Sequence, residues 1–245
     1  MQSIEYVFDL EADNLLDDVT TVHCIVLMQG DKVISFTPEK IQDGLKMMSK
    51  ADKLIGHNII DYDLRVLEKV YGWKFKGEVF DTLVASRTIW SHLYQVDTEI
   101  RRINTNLYGS HSLKAWGYRL GELKGTFNQG AESFEKYNKE MLSYCIQDVK
   151  VTSLLYNMIL KKQFSEDALK MEHDIHTLLI KQQERGIHFD EEKAKKLYSK
   201  LASRKQEIED ELQKVFEPNV IVMKTKTKTT PFNPASRQQI AGRLK

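Results

Sequence analysis

The chain has 245 residues and is nearly neutral, with 36 lysines and arginines against 35 acids and a net charge of +1. Its 41% hydrophobic and 29% charged residues, without an apolar run long enough to cross a bilayer, exclude an integral membrane protein and predict a soluble, cytoplasmic one. The two cysteines, Cys24 and Cys145, lie in apolar stretches without a CxxC spacing, which argues against a disulfide framework or a zinc site.

The first sixty residues predict strands. Ile4–Asp9 and Thr21–Met28 are rich in valine and isoleucine, and Lys32–Phe36 follows a tight turn at Gln29–Asp31. These three segments predict an antiparallel meander. A further short, buried strand is expected at Lys53–Gly56.

Helical spacing begins after Pro38, where Ile41, Leu45 and Met48 repeat on one side. We expect further helices at Asp63–Tyr71, Thr82–His92, Ser112–Leu120, Ser133–Ser143 and Tyr144–Lys161, the last two either separate or continuous. Strands followed by alternating helices and strands indicate an α/β domain, with a mixed sheet covered by helices.

Beyond Lys161 the pattern is purely helical. One apolar stripe stops at Arg185-Gly186, and Asp190 can cap a long second helix. One side of that helix is an apolar stripe of Leu197, Leu201, Ile208, Leu212 and Val215. This stripe needs a packing partner. Three of the four prolines lie in residues 218–245, where we expect a basic linker or a loose hairpin.

The segment Phe8–Asp13 places two carboxylates at the end of the first strand. Side chains alternate along a strand, so Asp9 and Glu11 share one face. Adjacent acids repel unless a cation lies between them, and oxygen ligands favour Mg²⁺ or Mn²⁺. The alternative is a strand that simply ends in solvent.

Two further acidic groups follow along the chain. One is the strand-to-helix corner at Gly56–Asp63, where Asp61 or Asp63 could equally cap a helix. The other is Tyr144 and Asp148, which share one face of a helix at i and i+4 and could equally form a surface hydrogen bond.

In this order, Asp-x-Glu, Asp and Tyr-x3-Asp resemble the motifs of the DEDD superfamily of 3′–5′ exonucleases. The tyrosine subgroup fits, because Ser143 occupies the position of the other subgroup's histidine. The likeness is greatest to the N-terminal proofreading domain of family A DNA polymerases from T7-like podophages. It rests on His57-Asn58, Tyr62-Asp63, Phe80–Leu83, Ser86-Arg87, Gly109–Leu113 and Ala115–Gly121. Segments Lys181–Ile187 and Phe232–Arg237 resemble those that lead into the polymerase thumb.

This resemblance implies an RNase H-like mixed sheet flanked by helices, followed by a helical extension toward a thumb. The expected divisions are an exonuclease domain at 1–162, the extension at 163–217 and the linker or start of the thumb at 218–245. The implied partners are a DNA 3′ end and a polymerase domain or separate polymerase subunit, without a membrane. The chain is then a truncated or a split polymerase without nucleotide incorporation, placed in the bacterial host cytoplasm if phage-encoded.

The resemblance also assigns residues to the reaction. It implies two Mg²⁺ (or Mn²⁺) ions bound by Asp9, Glu11, Asp63 and Asp148, with Asp9 between both ions. Glu11 and Asp148 would hold the nucleophile-side ion and Asp63 the other, and the Tyr144 hydroxyl would orient the attacking water.

Four residues are candidates for contact with the substrate: Leu15, Asn58, His111 and Trp116. Leu15 and Trp116 offer apolar faces to unstacked bases. Trp116 also repeats with Leu113 and Leu120 at core spacing, and Asn58 could instead brace the second acidic motif. Two other functions remain open: an RNase D-like exoribonuclease with the same five residues, and a catalytically idle scaffold that binds DNA or a partner.

Overall fold

A five-stranded mixed sheet forms the centre of the fold, in a computed structural model that describes residues 3–122, 135–222 and 226–244. Its strands are β1 (Glu5–Ala12), β2 (Val22–Gln29), β3 (Lys32–Phe36), β4 (Lys53–Gly56) and β5 (Glu78–Asp81), in the order β3-β2-β1-β4-β5. The meander β1-β2-β3 is antiparallel, as predicted, whereas β1, β4 and β5 run parallel. The carboxyl ends of these three strands therefore meet at one edge of the sheet.

Helices cover both faces of this sheet. In chain order they are α1 (Ile41–Met48), α2 (Asp63–Tyr71), α3 (Thr82–Ile89), α4 (Leu93–Ile100), α5 (Leu113–Leu120), α6 (Lys139–Lys161) and α7 (Glu166–Arg185). Neither α4 nor the four-residue strand β5 was predicted. The two helices expected from Ser133 to Lys161 are one helix, α6, which Asn138 caps by accepting a hydrogen bond from the Met141 amide; Ser133 lies outside the described residues.

The two faces of β1 pack against different helices. Phe8 and Leu10 lie in the hydrophobic cluster that includes α1 and α2. Val7, on the other face, packs in a cluster with Cys145 and Val149 of α6. Because side chains alternate along a strand, the odd-numbered residues of β1 face α6.

The chain divides into two units, Met1–Arg185 and Gly186–Lys245. The domain boundaries expected after residues 162 and 217 stay a prediction. Helix α7 packs within the first unit, against α3. Among the described residues, no helix combines the length and the apolar character needed to span a bilayer.

The second unit contains α8 (Glu191–Val215), the hairpin of β6 (Asn219–Val222) and β7 (Thr227–Thr230), and α9 (Arg237–Arg243). Asp190 caps α8 as predicted, through the Lys193 amide. The apolar stripe of α8 is largely exposed. Within 218–245, where a basic linker or a loose hairpin was expected, β6 and β7 form a hairpin, and the buried Phe232 stacks on Phe216 with 4.6 Å between ring centroids.

Candidate active site

Strand β1 presents the first two acids toward α6. Asp9 is paired in register with Val26, and Glu11 with Cys24, on the central strands of the sheet. Asp9 is half-buried and Glu11 is buried. A carboxylate oxygen of each residue and the Sγ of Cys145 lie within 4.8 Å of one another. The strand therefore brings two acids together away from bulk solvent.

Asp63 reaches the same region from the parallel neighbour of β1. It is the first residue of α2, after β4 ends at Gly56. A Cβ at Gly56 would lie 2.1 Å from Ile59 Cγ2 and 3.0 Å from the Phe8 carbonyl oxygen, so glycine lets this corner approach β1 closely. Asp63 is 4% exposed, and its Oδ1 has no hydrogen-bond partner among the described residues. A buried oxygen of this kind suits a bound cation.

Helix α6 supplies the third group. Asp148 is buried and Tyr144 half-buried, one helical turn apart on the helix that packs over β1. Cys145 lies between them and was not predicted to belong to the site. Burial, followed by a hydrogen bond with Cys24, raises the pKa of the Cys145 thiol well above its ordinary value. Because a neutral thiol is a poor ligand for a hard cation, Cys145 serves as packing.

The four carboxylates are electrostatically linked. Burial raises the pKa of Glu11 to about 10, and the charges of Asp9, Asp148 and Asp63 add to this increase. Burial, then the charge of Asp9, also raises the pKa of Asp63 well above its ordinary value. Acids with such raised pKa values hold protons at neutral pH unless a cation replaces them.

The metal-free protein should lose stability as the pH rises. The folded state keeps a proton on Glu11 up to a pKa of about 10, whereas the unfolded state releases it near 4.5, so the free energy of unfolding falls between these values. Glu11→Gln should flatten this slope and raise the melting temperature near pH 8 by several degrees, since about 1 kcal/mol corresponds to about 2–4 °C. Calorimetry in EDTA measures the slope. Glu99→Gln, at an exposed site, is the control, and an equal slope in Glu11→Gln and wild type would contradict the prediction.

Leu15 and Asn58 differ in what they offer a substrate. Leu15 is 79% exposed, and its loop is tied to α2, since the Tyr62 hydroxyl donates to the Asn14 carbonyl and Lys69 Nζ donates to the Leu16 carbonyl. Asn58 has a φ of +66° and donates its amide to the Asp81 carboxylate. Leu15 is therefore an apolar group held at the surface, whereas the main chain of Asn58 braces the second acidic motif.

His111 and Trp116 belong to a cluster around α5. His111 Nδ1 lies 3.1 Å from the Ser86 hydroxyl, and burial, then the charge of Arg119, lowers the pKa of His111 to about 4. Trp116 is 2% exposed and packs between Trp90 and the Arg119 guanidinium. Its ring lies in the core position that its spacing with Leu113 and Leu120 also allowed, and a contact between Trp116 and a base stays a prediction.

The sequence is related to phage DNA polymerases. No protein-family model matches the chain. The DNA-directed DNA polymerase of Escherichia phage T7 is 31% identical over 259 aligned residues, and that of Enterobacteria phage T3 is 32% identical over the same length. Each match covers 86% of this chain and 37% of the relative. The chain thus spans little more than a third of the length of these relatives.

Solved structures share the fold. Brucella melitensis NrnC has a TM-score of 0.53 and 18% identity, covering 73% of this chain and 82% of that one. A mutant of the catalytic core of RRP6 from Trypanosoma brucei has a TM-score of 0.51 and 18% identity, covering 73% and 46%. At these identities the similarity establishes a shared fold alone. The chain is therefore homologous to the T7 and T3 phage DNA polymerases over most of its length, and it shares its fold with NrnC and with the catalytic core of RRP6.

Proposed function

We propose that the chain is a metal-dependent 3′–5′ exodeoxyribonuclease that removes nucleotides from single-stranded or frayed DNA 3′ ends. The convergence of four acids from β1, α2 and α6 carries this proposal. The charges of Asp9, Asp63 and Asp148 all act on the buried Glu11. A buried group of four acids stays ionised at neutral pH only around a positive charge.

The donor set fits a divalent cation. All four side chains offer hard oxygen ligands, which favour Mg²⁺ or Mn²⁺. Asp63 Oδ1 is buried without a hydrogen-bond partner among the described residues, and a structure of NrnC has Mg²⁺ bound. When bound, two such ions would supply the charge that lowers the pKa of a water molecule and stabilises the departing 3′-oxygen.

In this proposal the four acids would bind the metal ions, and Tyr144 would orient the attacking water. Asp9 would bind both ions, Glu11 and Asp148 would hold the ion on the nucleophile side, and Asp63 would hold the other. The Tyr144 hydroxyl orients the attacking water, since a phenol with a pKa near 10 is a weak base at neutral pH. Burial of Glu11 and Asp148 excludes bulk water from that side of the group.

The substrate is a single-stranded 3′ end, because a paired terminus must fray before its last phosphodiester can reach buried acids. The exposed Leu15 provides an apolar surface for an unstacked base. Homology to two DNA polymerases favours DNA and a proofreading role beside a family A polymerase domain. An RNase D-like exoribonuclease is the second candidate, since the fold is shared with NrnC, which has also been solved bound to pGG.

The test is a degradation assay with 5′-labelled single-stranded DNA, a matched duplex, a duplex with a 3′ mismatch, and RNA of the same sequence. With Mg²⁺ we expect a ladder shortened from the 3′ end, formed faster on single-stranded and mismatched DNA than on matched duplex. EDTA should abolish the ladder.

Each remaining outcome identifies a different function. Faster degradation of RNA than of DNA would favour the ribonuclease, and no degradation with Mg²⁺ or Mn²⁺ would indicate an idle scaffold. Asp9→Ala protein purified in the same way controls for contaminating nuclease.

A further inference from the structure

Helix α7 begins after residue 162, where the sequence predicted the end of the exonuclease domain. It is nevertheless linked to the segment that carries Asp63 by two sets of hydrogen bonds, one of which runs through Asp81. We propose that α7 is a positioning element of the nuclease site and that His173 is the positioning residue through which it acts. This inference rests on the proposed nuclease function, and it adds a residue and an element to that site.

The first route begins at His173, which is 8% exposed. Its Nε2 accepts a hydrogen bond from the Asp81 amide at 2.8 Å, and its Nδ1 lies 2.6 Å from the Leu169 carbonyl oxygen. The two contacts fit a single neutral tautomer, with Nδ1 donating and Nε2 accepting. The ring also lies beside Phe80, with 5.2 Å between centroids. His173 therefore binds the end of β5 to α7.

Asp81 transmits this contact to the second acidic motif. Its carboxylate is completely buried and accepts hydrogen bonds from the Asn58 amide at 2.9 Å and the Ile60 amide at 3.1 Å. It also caps α3 through the Leu83 amide at 2.8 Å. One carboxylate thus joins the start of α3 to the turn that precedes Asp63. The positive φ of Asn58 gives this turn a backbone conformation that depends on such contacts.

The second route lies at Glu184, near the C-terminal end of α7. Glu184 accepts a hydrogen bond from Arg65 Nη2 at 2.7 Å, and Arg65 Nη1 donates to the Asp61 carboxylate at 3.2 Å. Asp61 and Arg65 stand on either side of Asp63 in the chain. His173 near the middle of α7 and Glu184 near its C-terminal end therefore hold the segment around Asp63 from positions about eleven residues apart on one helix.

Asp63 needs this support because its own burial is unfavourable. Asp63 is 4% exposed, and its Oδ1 lacks a hydrogen-bond partner among the described residues. A side chain in that environment keeps its place only if the backbone beneath it is fixed. Substitution of residues that orient a metal ligand without binding the metal typically lowers activity or metal affinity by about 10- to 100-fold.

The first test compares two substitutions of His173 in the full chain. His173→Leu keeps much of the volume but removes the acceptor, and we expect kcat for DNA hydrolysis to fall by about 10- to 100-fold with KM for DNA unchanged. His173→Gln can accept from the Asp81 amide again and should recover part of the loss. A role in packing alone would lower stability without this recovery.

The second measurement does not require nuclease activity. In metal-free, DNA-free protein, the amides of Asn58, Ile60 and Asp81 should exchange hydrogen faster in His173→Leu, while amides of β2 keep their wild-type rates. Equal acceleration in β2 or unchanged exchange at all three amides would by itself overturn the proposal. Faster exchange at these amides together with an unchanged kcat in the first test would also overturn it. If wild-type protein degrades neither DNA nor RNA, the proposed function fails, and the exchange rates still decide whether α7 fixes this segment.

Two substitutions at the surface of α7 test the proposal if the His173→Leu protein does not fold. Glu184→Lys breaks the contact with Arg65 and should lower kcat by about fivefold. Asp174→Lys is the matched control, because Asp174 lies on α7 in an exposed pair with Lys170. Equal activities of these two variants would remove the second route and overturn the proposal that α7 positions the site at both His173 and Glu184.

Discussion

Asp9→Ala is expected to reduce nuclease activity by more than about 10³-fold without unfolding the protein, since it removes a ligand assigned to both ions and with it preorganised charge stabilisation. Asp9 is also the second-largest cause, after burial, of the raised pKa values of Glu11 and Asp63. Its removal relieves repulsion in the metal-free protein, so the melting temperature in EDTA should stay the same or rise. Steady-state rates and calorimetry measure the two effects.

Asp31→Ala is the matched control for Asp9→Ala. Asp31 is an exposed acid in the turn between β2 and β3 of the same sheet, and its substitution should leave activity near the wild-type level. Retained activity in Asp9→Ala would end the metal-site assignment. A collapsed fold in Asp9→Ala would show that this acid is structural.

Tyr144→Phe should retain metal and DNA binding but slow the chemical step by about 10²- to 10³-fold, the range for deletion of one preorganised hydrogen-bonding group. The substitution removes a single hydroxyl, and the half-buried ring keeps its place on α6. Single-turnover rates at saturating DNA separate this step from binding and product release.

Tyr94→Phe provides the comparison for Tyr144→Phe, because Tyr94 is 62% exposed on α4 and its hydroxyl has no role in the proposed site. A wild-type single-turnover rate in Tyr144→Phe would show that the hydroxyl does not orient the attacking water. A higher KM for DNA with an unchanged rate at saturating DNA would instead make Tyr144 a substrate-binding residue.

Local periodicity in the sequence was enough to predict part of the site. The two-residue period of a strand predicts that Asp9 and Glu11 share a face, and β1 shows this arrangement. The helical period predicts that Tyr144 and Asp148 lie one turn apart, as they do on α6. The antiparallel meander followed by helices and a further short, buried strand was also predicted, because hydrophobic alternation and turn residues are properties of neighbouring positions.

Contacts between distant residues were not accessible in this way. The strand order places β4 beside β1 and so brings Asp63 near Glu11. Tertiary packing determines this order. The burial of Trp116 followed from Trp90 and Arg119, although its spacing was compatible with either a core or a substrate contact. The bond between His173 and Asp81 joins residues 92 positions apart. Such contacts leave no local pattern, because their energy depends on which surfaces meet once the sheet has formed.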